Sequence, residues 1–217
     1  MKKNYLTRSE VLQLPLSSEL KNILVGLTLG DLHIFKHPKG VNTNLYFEQG
    51  LVHEAYLMHL YNLFELYCLS VPKISHRLPD KRTGKVYSRI RFQTRSLPCF
   101  TEFYNLFYYE GKKIIPRNLG DLLTPLGLAY FAMDDGTLNT NGGFYFCTAN
   151  YTVEDNKYLS SILNTKFDLN TTLHKYAGKD QYRIYVPQSK LNELIALIGP
   201  HIHPSMQHKT NSGVSSK

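Results

Sequence analysis

The 217-residue sequence has no apolar run reaching the roughly 18 residues that a membrane span requires. Its opening residues, Met1 to Leu6, show no apolar stretch leading to a small-residue cleavage site and no Arg/Ser-rich transit pattern. Use in the compartment of synthesis is therefore expected. Cysteine is scarce, and Cys68, Cys99 and Cys147 lie far apart. That spacing excludes a disulfide framework and a paired-cysteine metal site, and it predicts reduced thiols in a core. There is no GxxxxGK[ST] loop, no Rossmann glycine run and no GxSxG elbow. The nine histidines do not amount to a zinc site. His53-Glu54 lacks a second histidine, because position 57 is Leu57, and His201 and His203 have no Cys or carboxylate partner at metal spacing.

Acidic residues are also in short supply. The net charge is +8 with a pI near 9.3, which favours a polyanionic partner. Residues 1–120 carry 17 Lys/Arg against 9 Asp/Glu, so they hold the whole excess. Most of it lies between Lys73 and Arg95, where Asp80 is the single acid. Hydrophobic residues make up 42% and charged residues 19%, a composition that supports a folded core.

Two segments read as buried helices ending in acid, Leu20 to Asp31 and Pro125 to Asp135. Thr124 suits the cap of the second, Pro125 its first turn and Gly136 its stop. The same order of signals follows each. In the first half a strand is expected over Val41–Phe47, a helix over Val52–Leu69, a hairpin over Lys73–Arg95 turning at Asp80–Gly84, and a helix over Pro98–Tyr109. In the second half a strand is expected over Phe144–Thr148, a helix over Thr152–Phe167, a hairpin over Thr171–Val186 turning at Ala177–Asp180, and a helix over Gln188–Ile198. The pattern is an internal repeat, divided into halves at 1–120 and 121–217.

Alternation along a strand places Lys85, Tyr87, Arg89, Arg91, Gln93 and Arg95 on one face, and Val86, Ser88, Ile90, Phe92 and Thr94 on the other. Arginine forks suit guanine edges and phosphates, and glutamine suits adenine edges. Gln181, Arg183 and Tyr185 are a weaker echo in the second half. Lys81, Arg82 and Lys175 extend the same candidate nucleic-acid surface. At the helix ends, Gly26 and Gly30 lie four apart on one face. Each costs roughly 1 kcal/mol against alanine in a helix interior, which is tolerable if another backbone must approach closely. Asp31 and Asp135 stand at helix C-termini, where the macrodipole disfavours an anion. Two converging carboxylates call for a counter-charge, and magnesium, a hard ion with oxygen ligands, answers that need.

Leu24-Val25-Gly26-Leu27-Thr28-Leu29-Gly30-Asp31 and Leu128-Ala129-Tyr130-Phe131-Ala132-Met133-Asp134-Asp135-Gly136 resemble the motif of the LAGLIDADG homing endonucleases. The similarity is greatest to the monomeric, two-motif, organelle-intron branch. The resemblance implies an α/β fold of the α+β type, with two pseudo-symmetric αββαββα-like halves and antiparallel DNA-binding sheets. It implies that the motif helices meet between the halves, and that Asp31 and Asp135, with the carbonyls of Gly30 and Asp134, hold two or three Mg2+ ions there. Lys113 and Lys209 take the places of lysines beside each centre. Glu48 resembles a polar strand residue near the first centre, and Cys147 occupies the corresponding place in the second half. The implied activity is a staggered double-strand break in a long asymmetric DNA target. The implied carrier is an intron gene, in a mitochondrion first and a chloroplast as the alternative, with a monomer acting on double-stranded DNA away from membranes. A group I intron RNA maturase and a DNA-binding regulator with inactive centres are the rival readings. The chain departs from the motif at Leu32, Tyr130 and Asp134, leaving both acids intact.

Overall fold

A computed structural model describes residues 7–76, 78, 79, 82, 84, 86–176 and 181–210. In chain order these form α1 (Arg8–Leu12), α2 (Ser18–Leu29), β1 (His33–Lys36), β2 (Thr43–Gly50), α3 (Glu54–Phe64), β3 (Lys73–His76), β4 (Ser88–Gln93) and α4 (Pro98–Phe107). There follow β5 (Tyr108–Tyr109), β6 (Lys112–Lys113), α5 (Leu119–Leu122), α6 (Pro125–Asp135), β7 (Gly136–Leu138), β8 (Phe144–Phe146), α7 (Val153–Phe167), β9 (Thr172–Lys175), β10 (Tyr182–Val186) and α8 (Leu191–Ile198). Each motif helix is thus followed by two strands, a helix, two strands and a helix. The first strand of each set, β1 and β7, is too short to leave a clear alternation in the sequence. The helix expected to run to Tyr109 stops at Phe107. Glu110 and Gly111 turn the chain at φ 48° and 75°, which closes a two-residue hairpin between β5 and β6. The two expected turns fall largely on residues outside the described set.

The chain divides into two compact units. One gathers the chain up to Leu20 with Leu32–Leu106, and the other gathers Lys21–Asp31 with the chain from Phe107 onward. The first motif helix thus belongs, for most of its length, to the same unit as the second, and the units are cut differently from halves drawn at residue 120.

In the first unit the sheet order is β1-β2-β4-β3, antiparallel throughout. Its inner face carries Ile34, Leu45, Phe47, Ile90 and Phe92, all buried. These meet the apolar side of α3. Phe47 stacks on Phe92 at 4.4 Å and lies 5.3 Å from Phe64, and Tyr61 meets Phe92 edge-on.

In the second unit the order is β7-β8-β10-β9, again antiparallel. Phe144, Phe146, Ile184 and Val186 point inward onto Phe131, Leu159, Leu163 and Leu194 in a buried core. Thr124 caps α6 by accepting the Gly127 N–H, with Pro125 in the first turn. Thr152 caps α7 in the same way from Asp155. Among the described residues no helix is long and apolar enough to cross a membrane. The three cysteines form no disulfide, and each is half-buried rather than enclosed in a core.

The closest approach in the second unit is between α2 and α6. A Cβ placed on Gly26 would lie 1.9 Å from the Gly127 carbonyl oxygen, and one on Gly127 would lie 2.9 Å from the Asn22 oxygen. Backbone therefore touches backbone, which is why the glycines are tolerated inside helices. One turn further on, a Cβ on Gly30 would lie 2.6 Å from the Asp134 Cβ. Gly26→Ala is therefore expected to destabilise by at least about 3 kcal/mol. Gly120→Ala, whose Cβ would meet only Ile162 at 4.0 Å, should stay within about 1 kcal/mol of the parent. Urea denaturation of both variants reads the difference, and equal midpoints would contradict the backbone contact.

Candidate active centre

The contact between α2 and α6 brings the ends of both helices together. Asp31 follows the last turn of α2, and its backbone N–H donates to Asp134 Oδ2 at 3.3 Å. The Asp134 side chain therefore cross-links the two motif ends. Asp135 is the final residue of α6, and its carbonyl accepts the Cys147 N–H at 2.8 Å from the end of β8. Gly136 leaves the helix in extended backbone at φ −85° and starts β7 directly, so the stop needs no left-handed residue.

Carbonyls at a helix C-terminus lack partners within the helix, and three side chains supply them here. Tyr151 Oη donates to the Leu29 carbonyl at 3.0 Å. Lys113 Nζ donates to the Gly30 carbonyl at 2.8 Å, and Lys209 Nζ to the Gly136 carbonyl at 2.7 Å. Lys113 arrives on the short hairpin, where it pairs with Tyr108. Lys209 ends the Pro204–Lys209 3-10 segment. Both cations lie where the helix dipole favours positive charge.

The charges feel one another. Burial, and then the negative charge of Asp31, push the Asp135 carboxyl up to about 7, while Lys113 and Lys209 pull it down. Burial lowers the Lys113 ammonium, opposed by Asp135, Asp134 and Asp31. Burial and the Asp135 charge raise the Cys147 thiol. Tyr151 is held in its protonated form mainly by burial, which keeps it a donor.

Among the described residues no group of three or more His, Cys, Asp or Glu is placed to hold a metal ion. Two carboxylates with nearby carbonyls are a different donor set. Magnesium commonly keeps several waters and takes only one or two carboxylates together with substrate phosphate. Burial, and then the Asp31 charge, disfavour the Asp135 carboxylate, and a bound cation would favour it. Asp31, Asp135 and the carbonyls of Gly30 and Asp134 fit that role in chemistry. The Gly30 carbonyl is already engaged by Lys113.

The candidate nucleic-acid residues lie on both sheets. In the first unit Arg89, Arg91 and Gln93 are on β4, with Tyr87 exposed before it and Arg95 half-buried after it. Arg82 is exposed, and Lys81 and Lys85 lie outside the described residues. The outward face is not purely cationic, because β2 contributes Glu48, whose Oε1 pairs with Arg89 at 2.9 Å. Glu48, expected beside the first centre, is thus engaged within its own sheet. Alternation along β4 could not reveal this acid, which arrives from the neighbouring strand. In the second unit Arg183 and Tyr185 lie on β10, Gln181 lies just before it, and Lys175 ends β9. The Arg183 guanidinium lies 4.3 Å from the Tyr145 ring centre and 4.6 Å from that of Tyr176. Sequence reasoning missed Tyr151, Tyr46 and Tyr145, since no spacing rule singles out a tyrosine whose role is to hold a carbonyl or a guanidinium.

A carboxyl with a raised folded pKa stabilises the fold below its unfolded value, near 3.8, and loses that contribution as pH rises through about 7. Without divalent ion, Asp135→Asn should therefore melt about 5 °C above the parent at pH 8, and the gap should close towards pH 4. Thermal unfolding in EDTA across that range checks the sign, and a variant less stable at pH 8 would contradict it.

Known proteins resemble this chain over most of its length. A model described as the LAGLIDADG DNA endonuclease family matches residues 21–194. The cytochrome b mRNA maturase bI2 of Debaryomyces hansenii is 33% identical over 93% of this chain and 78% of its own length. The DNA endonuclease I-ChuI of Chlamydomonas applanata is 28% identical over 91% of this chain and 97% of its own. Among solved structures, the homing endonuclease I-WcaI bound to its DNA recognition sequence matches with a TM-score of 0.89 and 27% identity, over 99% of this chain and 96% of that one.

Proposed function

Because this chain belongs to the LAGLIDADG homing endonuclease family and is a DNA endonuclease, we propose that it makes a staggered double-strand break in a long, asymmetric duplex target with magnesium. The observation that carries this reading is the placement of Asp31 and Asp135 at the touching ends of α2 and α6, flanked by Lys113 and Lys209. Asp31, Asp135 and the carbonyls of Gly30 and Asp134 would hold two or three ions. When bound, magnesium supplies Lewis acidity to the phosphodiester and makes water a stronger nucleophile at neutral pH.

The protein's own groups do the rest. Tyr151 fixes the end of α2, and the amide of Asp31 is held by Asp134. The two lysines place positive charge where a phosphorane would gather negative charge. The outward faces of the two sheets would present Arg89, Arg91, Gln93, Arg183 and Tyr185 to the major groove, with Tyr87, Arg95, Gln181 and Lys175 at strand ends and Arg82 between β3 and β4. Lys81 and Lys85, outside the described residues, belong to the same proposed surface. Phosphate contacts there would give affinity and base-edge contacts would give selection. The gene's setting is an organelle intron, mitochondrial by the likeness to the cytochrome b maturase, and the enzyme acts as a monomer.

That same likeness favours a second activity, assistance to splicing of a group I intron RNA. A maturase role does not require Asp31 or Asp135 to be ionised, so the two activities separate by mutation. Asp31→Asn or Asp135→Asn should lower double-strand cleavage by at least about a thousandfold while duplex affinity stays within about fivefold, and EDTA should stop the parent enzyme. Cutting of a duplex library followed by sequencing of the ends tests this. Normal cleavage by either variant, or cleavage without divalent ion, would defeat the mechanism.

A further inference from the structure

The outward face of the first sheet holds an acid where attraction to phosphate would favour none. Both oxygens of Glu48 are used. Arg89 Nη1 donates to Oε1 at 2.9 Å, and Tyr46 Oη donates to Oε2 at 2.9 Å. The same Tyr46 oxygen accepts from Arg91 Nη1 at 3.2 Å, and Arg89 Nε donates to Ser75 Oγ at 3.2 Å. The chain of contacts, Arg91 to Tyr46 to Glu48 to Arg89 to Ser75, ties together β2, β4 and β3. A shallow hollow of about 250 Å³ adjoins it, lined by Tyr46, Lys73, Arg91 and Gln93 among others. As an isolated surface ion pair, half-exposed as it is, Glu48–Arg89 would add little to stability. Its effect lies elsewhere, since a free arginine gives up several rotatable bonds on meeting a base or phosphate, and one already held gives up fewer.

The second sheet reaches the same end by another route. Its counterpart of Tyr46 is Tyr145, and the place of Glu48 is taken by Cys147. Without an acid there, Arg183 is held between the rings of Tyr145 and Tyr176. Tyr145 is fixed by His174 at 2.9 Å, and His174 stacks on Tyr185 at 4.5 Å.

We propose that Glu48 is a positioning residue for target selection, ordering Arg89 directly and Arg91 through Tyr46 so that the first sheet meets the duplex with both guanidinium groups preset. This rests on the nuclease reading above. Removing the carboxylate leaves Arg89 with Ser75 alone among these contacts, unfixes the Tyr46 hydroxyl that holds Arg91, and raises the net positive charge of the face. It should therefore weaken selective binding while non-selective binding, which follows total charge, holds or tightens.

The test measures Kd on the preferred duplex and on a scrambled one, with the single-turnover cleavage rate, for the full chain and for Glu48→Ala, Glu48→Gln, Arg89→Ala and the Glu48→Ala/Arg89→Ala pair. Glu48→Ala should bind the preferred site about tenfold more weakly and the scrambled one no more weakly. Glu48→Gln, which keeps the Arg89 acceptor, should recover part of the loss. The double variant should lose less than the product of the two single losses, the non-additivity expected of a residue acting through its partner, with the remaining Glu48 effect passing through Tyr46 to Arg91. The proposal is overturned if Glu48→Ala slows cleavage with the ratio of the two Kd values unchanged, or if the two single losses multiply. Failure of the parent chain to prefer any duplex would overturn the nuclease reading itself, and that result appears before any variant is made.

Discussion

The Gly127 carbonyl lies where any side chain at position 26 would have to go, and the rest of the centre depends on that contact. With no atoms between the two backbones, α2 and α6 have one depth of approach. That depth fixes where their last turns end. It puts Gly30 against the Asp134 side chain and lets Asp134 take the Asp31 amide. The two terminal acids are thus brought together by packing further back along each helix, with the Asp31 amide held by Asp134.

Such an arrangement is electrostatically awkward, and the surrounding groups show how the chain manages it. Two helix C-termini and three carboxylates collect in one place, and burial makes the charge on Asp135 costly. The chain answers with cations brought from elements outside the helices, Lys113 from a two-stranded hairpin and Lys209 from a 3-10 segment. Each donates to a carbonyl at the end of a motif helix. The lysine charges also lower the Asp135 carboxyl, against the burial and the Asp31 charge that raise it.

Much of this was legible in the sequence, for physical reasons that differ by element. The motif helices were plain because they are apolar nearly all round and end in acid, and α6 has Thr124 and Pro125 as a start signal. The need for close approach at Gly26 and Gly30 followed from their spacing, but the partner surface did not. Gly127 sits near the start of α6, outside the stretch that the motif emphasises, and Asp134 is the small-residue exception that fills the space left by Gly30. The strands β1 and β7 escaped because three or four residues cannot display a period. The first strand of the hairpin that carries Lys113 was absorbed into a helix, since Tyr108 and Tyr109 continue an apolar pattern that the positive φ at Glu110 and Gly111 breaks. Glu48 was noticed for its likeness to a family position. Its partner Tyr46 lies two residues back on the same strand, but Arg89 comes from pairing with the neighbouring strand, which a one-dimensional pattern does not contain.

The unlike surroundings of Arg89 and Arg183 have a consequence for how the molecule would let go of a duplex. A guanidinium ordered by a half-exposed carboxylate loses some of that order when mobile ions screen the pair. One lying between two tyrosine rings is held partly by dispersion and by the ring quadrupole, forces that added salt weakens less. Rising ionic strength would then loosen the order of the first sheet's arginine ahead of that of the second sheet's, so the two sheets would lose their hold on a duplex at different salt concentrations.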